Sequence, residues 1–560
     1  MAGRTSTSEK QHKHADGVSE AIGGGEDVAG LSLKDLIEAA NPALYAEVIA
    51  RESTRLYGEW VKIMIGTSDR DVPARDWRFS DPAWRDNPVY KRLAQGYLAF
   101  CESVDKVVDN NPDWRKRERA KFLTGILTSA MAPTNTLLGN PAALKRAYET
   151  CGASLLKGYR NLAADALAGK RIPTQVKSSE FRLGENLAVT PGGVVYRDEF
   201  VELLQYRPTT TEVYEIPTLM IVPPIGKYYF MDLAPKRSFC EYAVSRGVQL
   251  FTTSWRNPRK EHGHWSLDDY VTACLSAVDA LCDTTGSSKV NILGLCAGGI
   301  ISTMMMSYMA HRGDDRISAA SFGVMLLDFG SEAPIGAFQS KPVLTLARRR
   351  SAKKGILPAS SFAETFAWMR PNDLVWNYWV NNYLTGNDPP SFDILAWSVD
   401  GTNLPATLHA QFLDIFQDNP LPTPGALQVL GHPVDLSSIK VESLVTGAIS
   451  DHLTPWKACY QTTQLLGGKS TFVLSNAGHI GALVNPPGNP KASYYLGPTP
   501  GPDPDNWLQA AKKYTGTWWE VWADWTLKRS GAERTAPRAL GSERFPMLDA
   551  APGTYVHEAA

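Results

Sequence analysis

The chain has 560 residues, 43% of them hydrophobic, enough to bury a substantial core and to fill roughly two domains. A net charge of −1 gives no basis for nucleic-acid binding, and seven cysteines without a C-x-x-C pair imply a reducing compartment with neither a disulfide framework nor a zinc site. The opening MAGRTSTSEKQHKHADG has no apolar signal-peptide core, so a cytoplasmic protein is expected.

Residues 1–30 are polar and rich in Gly, Ser and charge, the composition of a disordered tail in which His12 and His14 are solvated. Over 31–190 apolar residues recur at three and four, most clearly over 89–107 and 117–131, and predict a mainly helical region. Proline joints at Asp81-Pro82, Asn87-Pro88 and Asn140-Pro141 punctuate it. This region carries no cluster of catalytic residue types; its expected roles are packing, dimer contact or attachment to a surface.

The period changes in the remainder, 191–560. Apolar runs at 194–196 and 201–206 read as an antiparallel pair, and strand-length runs at 218–222, 248–254, 289–293 and 322–328 then alternate with helical segments at 236–245 and 267–281, the latter with Ser266 as N-cap. Such alternation predicts an α/β fold with a mostly parallel sheet. It breaks over about 330–424, where aromatic residues crowd together, including Tyr378, Trp379 and Trp397. A long apolar excursion between strands predicts a cap over a site, although an ordinary core explains most of these rings. Alternation then resumes with strands at 441–446 and 471–474. Trp518, Trp522 and Trp525 fall at helical spacing and predict a core-facing stripe.

The uncharged stretch over 290–310 holds Gly294-Leu295-Cys296-Ala297-Gly298, a G-x-C-x-G at the corner between a short strand and a helix. A membrane span is disfavoured by three glycines, an asparagine and a strand-like first third. A merely buried cysteine in a core βα unit is the competing reading. As a nucleophile elbow of an α/β-hydrolase fold, the corner lifts Cys296 above the sheet, and the helix N-terminus behind it favours an anion. Base and acid then come in the order nucleophile, acid, histidine. His479, in the glycine-rich turn after the 471–474 strand, is the candidate base; Asp451, after the 441–446 strand, is the candidate acid. His452 beside it is assigned a supporting place. Oxyanion donors are expected from the backbone N–H of Ala297 and, in the loop after the 218–222 strand, from Ile225, the first residue past two prolines that offers an N–H.

A cysteine nucleophile favours thioester substrates, because thiolate attack exchanges one thioester for another at nearly equal energy and leaves an acyl-enzyme able to react on. From about Phe79 onward the chain resembles the poly(3-hydroxyalkanoate) synthases of classes I and II, on the stretches FSDPAWRDNPVY, MAPTNTLLGNPAALKR, TSWRNP, GLCAGG, WMRPNDLVWNYWVNNYL, SDHLTPW, SNAGHIGALVNPPGNPK and PGTYVHE, the last closest to class II. The resemblance implies polymerisation of (R)-3-hydroxyacyl-CoA into polyester with release of CoA, Cys296 being acylated, His479 the base and Asp451 the acid. Trp397 matches an aromatic residue of the family's cap, and with Tyr378 and Trp379 is a candidate to line the substrate channel. No cofactor beyond the CoA thioester substrate is implied; a homodimer at the storage-granule surface, without a membrane span or nucleic acid, is. The chain departs from the family's P-P-x-I-N-K at Pro223-Pro224-Ile225-Gly226-Lys227 and reads L-C-A where class II has A-C-S. The rival readings are a cysteine hydrolase of the dienelactone hydrolase sort, which would be far shorter and lack a cap, and a non-catalytic granule coat, which would not need a triad.

Overall fold

The computed structural model describes residues 42–73 and 75–560; the tail expected over 1–30, with His12 and His14, lies outside them. The proline joints of the N-terminal region are helix starts. Asn87 accepts hydrogen bonds from the amides of Val89 and Tyr90, with Pro88 as the first residue of helix Pro88–Asp109. Asn140 does the same for Pro141–Glu149 through Ala143. A capping side chain followed by a proline that has no N–H to leave unpaired fixes where each helix begins. Helix Pro42–Ile65 packs along Pro88–Asp109, and Trp114–Ala130 comes next with Asp113 as its cap.

An eleven-stranded sheet organises the rest. Its strands are β1 (Gly192–Arg197), β2 (Val201–Tyr206), β3 (Thr218–Ile221), β4 (Leu250–Trp255), β5 (Val290–Leu295), β6 (Ile317–Gly323), β7 (Glu442–Ala448), β8 (Ser470–Ser475), β9 (Ser493–Leu496), β10 (Lys512–Thr515) and β11 (Asp549–Ala550). Across the sheet they run β11-β1-β2-β4-β3-β5-β6-β7-β8-β9-β10. The six central strands, β4 through β8, are parallel, and antiparallel strands close both edges. Strands β3, β4 and β5 are buried along their whole length, which is why they read as continuous apolar runs without alternation. The order, with helices on a parallel core, is that of the α/β-hydrolase fold.

Two boundaries differ from the sequence expectation. The strand placed at 322–328 lies earlier, at Ile317–Gly323; Val324 turns out of it with φ +46°, and the apolar residues beyond are a buried loop. The helix expected over 236–245 starts only at Phe239, after Ser238 caps it through the amide of Glu241. The stretch over 290–310 is strand, turn and helix, and among the described residues no helix is long and apolar enough to cross a membrane.

Between Gly323 and Glu442 the chain leaves the sheet and forms helices, among them Lys341–Lys354, Ala359–Met369, Asp393–Val399 and Ala406–Asp418. Two consecutive π-helical segments, Asn372–Trp376 and Trp379–Leu384, lie in its middle. The N-terminal region grips this π-helical stretch. Trp376 Nε1 donates to Ser129 Oγ, Trp379 Nε1 to the Asn135 carbonyl, Asn382 Nδ2 to the Thr174 carbonyl and Tyr383 Oη to Asp165.

Trp518, Trp519 and Trp522 of helix Trp518–Leu527 are fully buried in the core, and Trp525 is partly buried against it. Trp522 is fully buried against Phe239, and its indole N–H donates to Ser321 Oγ on β6 at 2.9 Å. Trp522→Ala is expected to cost about 3–5 kcal/mol of stability through the cavity left behind, read as a lowered midpoint of unfolding by near-UV circular dichroism; an unchanged midpoint would show that the helix is not part of the cooperative core.

Candidate active site

Strand β5 ends in a bend that few residues tolerate. Cys296 has φ +48° and ψ −124° and caps helix Ala297–His311. A non-glycine residue held there stores roughly 1–3 kcal/mol of strain. Its amide donates to the Gly323 carbonyl at the end of β6, and its carbonyl accepts from Gly299. The glycines of the motif are required by close approach. A methyl group on Gly294 would come within 2.4 Å of Ser302 Oγ and 2.7 Å of Gly299 Cα; one on Gly298 would come within 2.4 Å of the Ile221 carbonyl oxygen and 2.6 Å of that of Val222. The second pair shows that the first turn of the elbow helix rests directly on the end of β3, where the loop containing Ile225 begins. Ala297 is the first helical residue, so no carbonyl of its own helix can take its N–H.

Asp451 and His479 come together because β7 and β8 are adjacent parallel strands whose C-terminal loops emerge side by side, tied by Ile449 N–H to the Ser475 carbonyl and Ser450 N–H to the Ala477 carbonyl. Asp451 Oδ2 lies 2.7 Å from His479 Nδ1. The two residues are 7% and 6% exposed, so the contact is shielded from solvent. Oδ1 accepts from the amides of Leu453 and Thr454 at 2.8 and 2.9 Å, and Oδ2 accepts from Thr454 Oγ1 at 2.7 Å. Burial pushes the Asp451 carboxyl up, but His479 and these donors outweigh it and hold the group below its usual range. His479 opens the short helix His479–Leu483 after Gly478. The indole N–H groups of Trp518 and Trp519 bind the carbonyls of Ala482 and Leu483 at the helix's far end, so the tryptophan stripe also fixes the histidine's direction. Burial lowers the imidazole's affinity for a proton; Cys296 and Asp451 on its two sides overcome this and push it up to about 10. The structure thus joins His479 to Asp451 by a direct hydrogen bond and sets Cys296 near enough to the imidazole to raise its proton affinity.

The other sequence candidates divide. His452 is half-buried and makes no hydrogen bond to either residue of the pair; burial and the nearby Arg370 push it down to about 4, so it is neutral at neutral pH. Ile225 is half-buried in the loop after β3, its carbonyl taking a long 3.5 Å contact from Thr402 N–H. Trp397 lies against the same loop, with Nε1 2.7 Å from the Lys227 carbonyl and its ring 5.2 Å from that of Phe230. Trp379 sits on the seam with the N-terminal region, and Tyr378 is buried between the two π-helical segments. A cleft of about 760 Å³ opens beside the histidine, lined by Arg237, Ile394, Ile480, Val484 and the 485–490 loop. Sequence reasoning missed Thr454, whose hydroxyl is also 3.1 Å from His479 Nδ1. Its signal is the spacing Asp-x-x-Thr, which lets one carboxylate take the amide and hydroxyl of the residue three places on. Lys227 was missed too, a lysine in the otherwise uncharged 222–229 stretch and 3% exposed.

The chain matches two family descriptions, the N-terminus of poly-beta-hydroxybutyrate polymerase (PhaC) over residues 75–243 and the alpha/beta hydrolase fold over 224–486. Poly(3-hydroxyalkanoate) polymerase 1 of Ectopseudomonas oleovorans is 42% identical, the match covering 96% of this chain and 98% of the relative. The poly(3-hydroxyalkanoate) polymerase subunit PhaC of Cupriavidus necator is 37% identical over 92% of this chain and 88% of its own. Among solved structures, a monoacylglycerol lipase of Paleococcus ferrophilus aligns with 58% of this chain and 99% of its own at 13% identity and a TM-score of 0.30. With similarity of this degree running through both the helical region and the sheet domain, the chain belongs to the poly(3-hydroxyalkanoate) polymerases, acyltransferases built here on an α/β-hydrolase fold.

Proposed function

We propose that the chain polymerises (R)-3-hydroxyacyl-CoA through a covalent acyl-enzyme on Cys296, with His479 as general base and Asp451 holding the imidazole. The observation that carries this is the buried 2.7 Å contact of Asp451 with His479 Nδ1, which leaves Nε2 for the thiol. In the first half-reaction Sγ attacks the thioester carbonyl, the carbon–sulfur bond to CoA breaks, and the thiol's proton, held on His479 as its raised proton affinity favours, passes to the departing CoA sulfur, leaving the imidazole neutral to serve as base in the second. The backbone N–H groups of Ala297 and Ile225 bind the oxygen that becomes negative. In the second, the hydroxyl of an acyl chain gives its proton to His479 and attacks the acyl-Cys296 carbonyl. An ester bond forms, the bond to Sγ breaks, and the proton returns to sulfur. The chain is one monomer longer and the thiol is regenerated.

Water must be kept from the acyl-enzyme for polymer rather than free acid to accumulate, and the helical insertion after β6, with Trp397 against the Ile225 loop, is suited to that. A water-insoluble product that accumulates around the enzyme making it supports a granule-associated, cytoplasmic protein, and the family likeness supports a homodimer.

Supplied separately with 3-hydroxybutyryl-CoA and 3-hydroxyoctanoyl-CoA, the enzyme should release CoA and deposit insoluble polyester from at least one; soluble hydroxy acid without polymer would sink the polymerase mechanism in favour of a hydrolase. Cys296→Ala is expected to abolish CoA release entirely, because no other group holds the acyl chain; residual polymer would place the nucleophile on another cysteine. For Asp451→Asn, elongation should slow on the order of 10²-fold or more, while rapid-quench analysis still finds part of Cys296 acylated; equal loss of both steps would contradict a role centred on the acceptor hydroxyl.

The histidine's elevated proton affinity has a stability consequence. With a folded value of about 10 against an ordinary 6.5, its protonation contributes stability that is fully present below about pH 6.5 and is lost as pH rises through 10. The gap in thermal midpoint between the unaltered protein and His479→Gln should therefore shrink from pH 6.5 to pH 10; a gap that widens would show that the imidazole is neutral throughout.

A further inference from the structure

The loop that carries Ile225 is held from behind by a part of the chain more than 300 residues away. Lys227, two residues past Ile225, points its ammonium away from the site into the protein, donating to the Glu558 carbonyl at 2.6 Å and, at 3.5 Å, to the Tyr555 carbonyl. A lysine buried to this degree is costly unless its charge is met, and here two backbone carbonyls meet it.

The turn that presents those carbonyls is itself fixed by buried charge. Glu202 on β2, with no exposed surface, accepts from the amides of Thr554 and Tyr555 and from the Thr554 hydroxyl. The Glu558 carboxylate accepts from Arg256 Nε at 3.2 Å and from the Asn257 amide at 3.1 Å, both just past β4, and Asn257 Nδ2 reaches the Glu558 carbonyl at 3.3 Å. Asn257 Oδ1 also accepts from the Asn403 amide in the insertion. From the other side, the Trp397 ring presses on Gly226: a methyl group there would come within 2.9 Å of it. The Ile225 loop is therefore clamped between an indole of the insertion and an anchor built from β2, the end of β4 and residues 554–558.

We infer that Lys227 is a positioning residue for acyl transfer, with the 554–558 turn as the strut that sets the oxyanion loop through it. The inference rests on the proposed role of the Ile225 amide. An oxyanion donor is effective only when its N–H meets the position the oxygen takes in the transition state, and a misplacement of about 1 Å from a remote change costs on the order of 10²-fold. The loop has no hydrogen-bond ladder of its own beyond a single antiparallel bridge between Gly226 and Gly401. Lys227 holds it by both ends of the residue, its carbonyl on Trp397 and its ammonium on Glu558.

Iodoacetamide separates this role from simple support of the fold, since alkylation of Cys296 uses the same thiol and histidine but displaces iodide at a saturated carbon and develops no oxyanion. The full-length Lys227→Met and Glu558→Gln variants are compared in the CoA burst from 3-hydroxybutyryl-CoA, in KM, and in the rate of Cys296 alkylation read on its own peptide by mass spectrometry. Lys227→Met is expected to slow the burst about 10- to 100-fold with KM and alkylation within about twofold. Glu558→Gln keeps every backbone partner and should give the same split at about threefold, which serves as the test if Lys227→Met does not fold. An unchanged burst in both variants, or alkylation slowed in step with acylation, overturns the inference. Ile225→Pro, which deletes only the N–H, distinguishes the underlying reading: an unchanged burst in that variant removes Ile225 as donor, whereas a slow burst there beside an unchanged Lys227→Met removes the positioning role alone.

Discussion

The site depends on one backbone angle held against its preference, the φ of +48° at Cys296. The strain persists because three independent contacts specify the bend: the Cys296 amide on the Gly323 carbonyl, the packing of Gly298 on the end of β3, and a strand buried between two parallel neighbours. Relaxing the angle would require moving the sheet. The same bend sets Cys296 at the C-terminal edge of the sheet and, directly after it, the unpaired first amides of the adjoining helix, so one turn places a thiol beside a backbone donor.

Much of this is legible in the chain itself because parallel sheets impose a strict grammar. A strand buried on both faces reads as an apolar run, and the loops leaving such strands emerge at one edge of the sheet. Asp451 and His479 could be named from strand order and small residues alone, and the structure brings them within hydrogen-bonding distance. What could not be read was anything fixed by contacts between distant segments. The apolar run after Gly323 reads as strand because a buried loop and a buried strand share a composition, and only Val324's positive φ separates them. The tie of Trp379 to the N-terminal region, its indole N–H on the Asn135 carbonyl, is likewise invisible among its aromatic neighbours in the sequence. Thr454 and Lys227 act through partners that spacing alone does not single out.

Three buried charged residues around the site come with their partners supplied. Glu202, Lys227 and Asp451 are each nine-tenths or more buried, and each is met by backbone amides, carbonyls or a paired ring. A group so satisfied contributes less to net stability than to uniqueness of geometry, since the alternatives leave a charge unpaired in a low-dielectric interior. Lys227 and Asp451 lie on loops that leave the C-terminal ends of the strands, and Glu202 bears on the first of these through the 554–558 turn.

The point at which the helical insertion leaves the sheet has a mechanical meaning. It departs from β6, the strand lying between β5, which ends at Cys296, and β7 and β8, which lead to Asp451 and His479. Its first residues are wedged there: Val324 N–H binds the Thr446 carbonyl on β7, while the Met325 side chain lies over Gly299 in the elbow helix. About 14 Å of sheet edge separates β5 from β8 at ordinary strand spacing, and the root of the insertion occupies the middle of that span. The insertion is thus rooted between Cys296 and the Asp451–His479 pair rather than to one side of them. Val324 and Met325, adjacent in the chain, touch the end of β7 and the first turn of the elbow helix respectively, so a shift of the insertion's root would displace both sides of the site together.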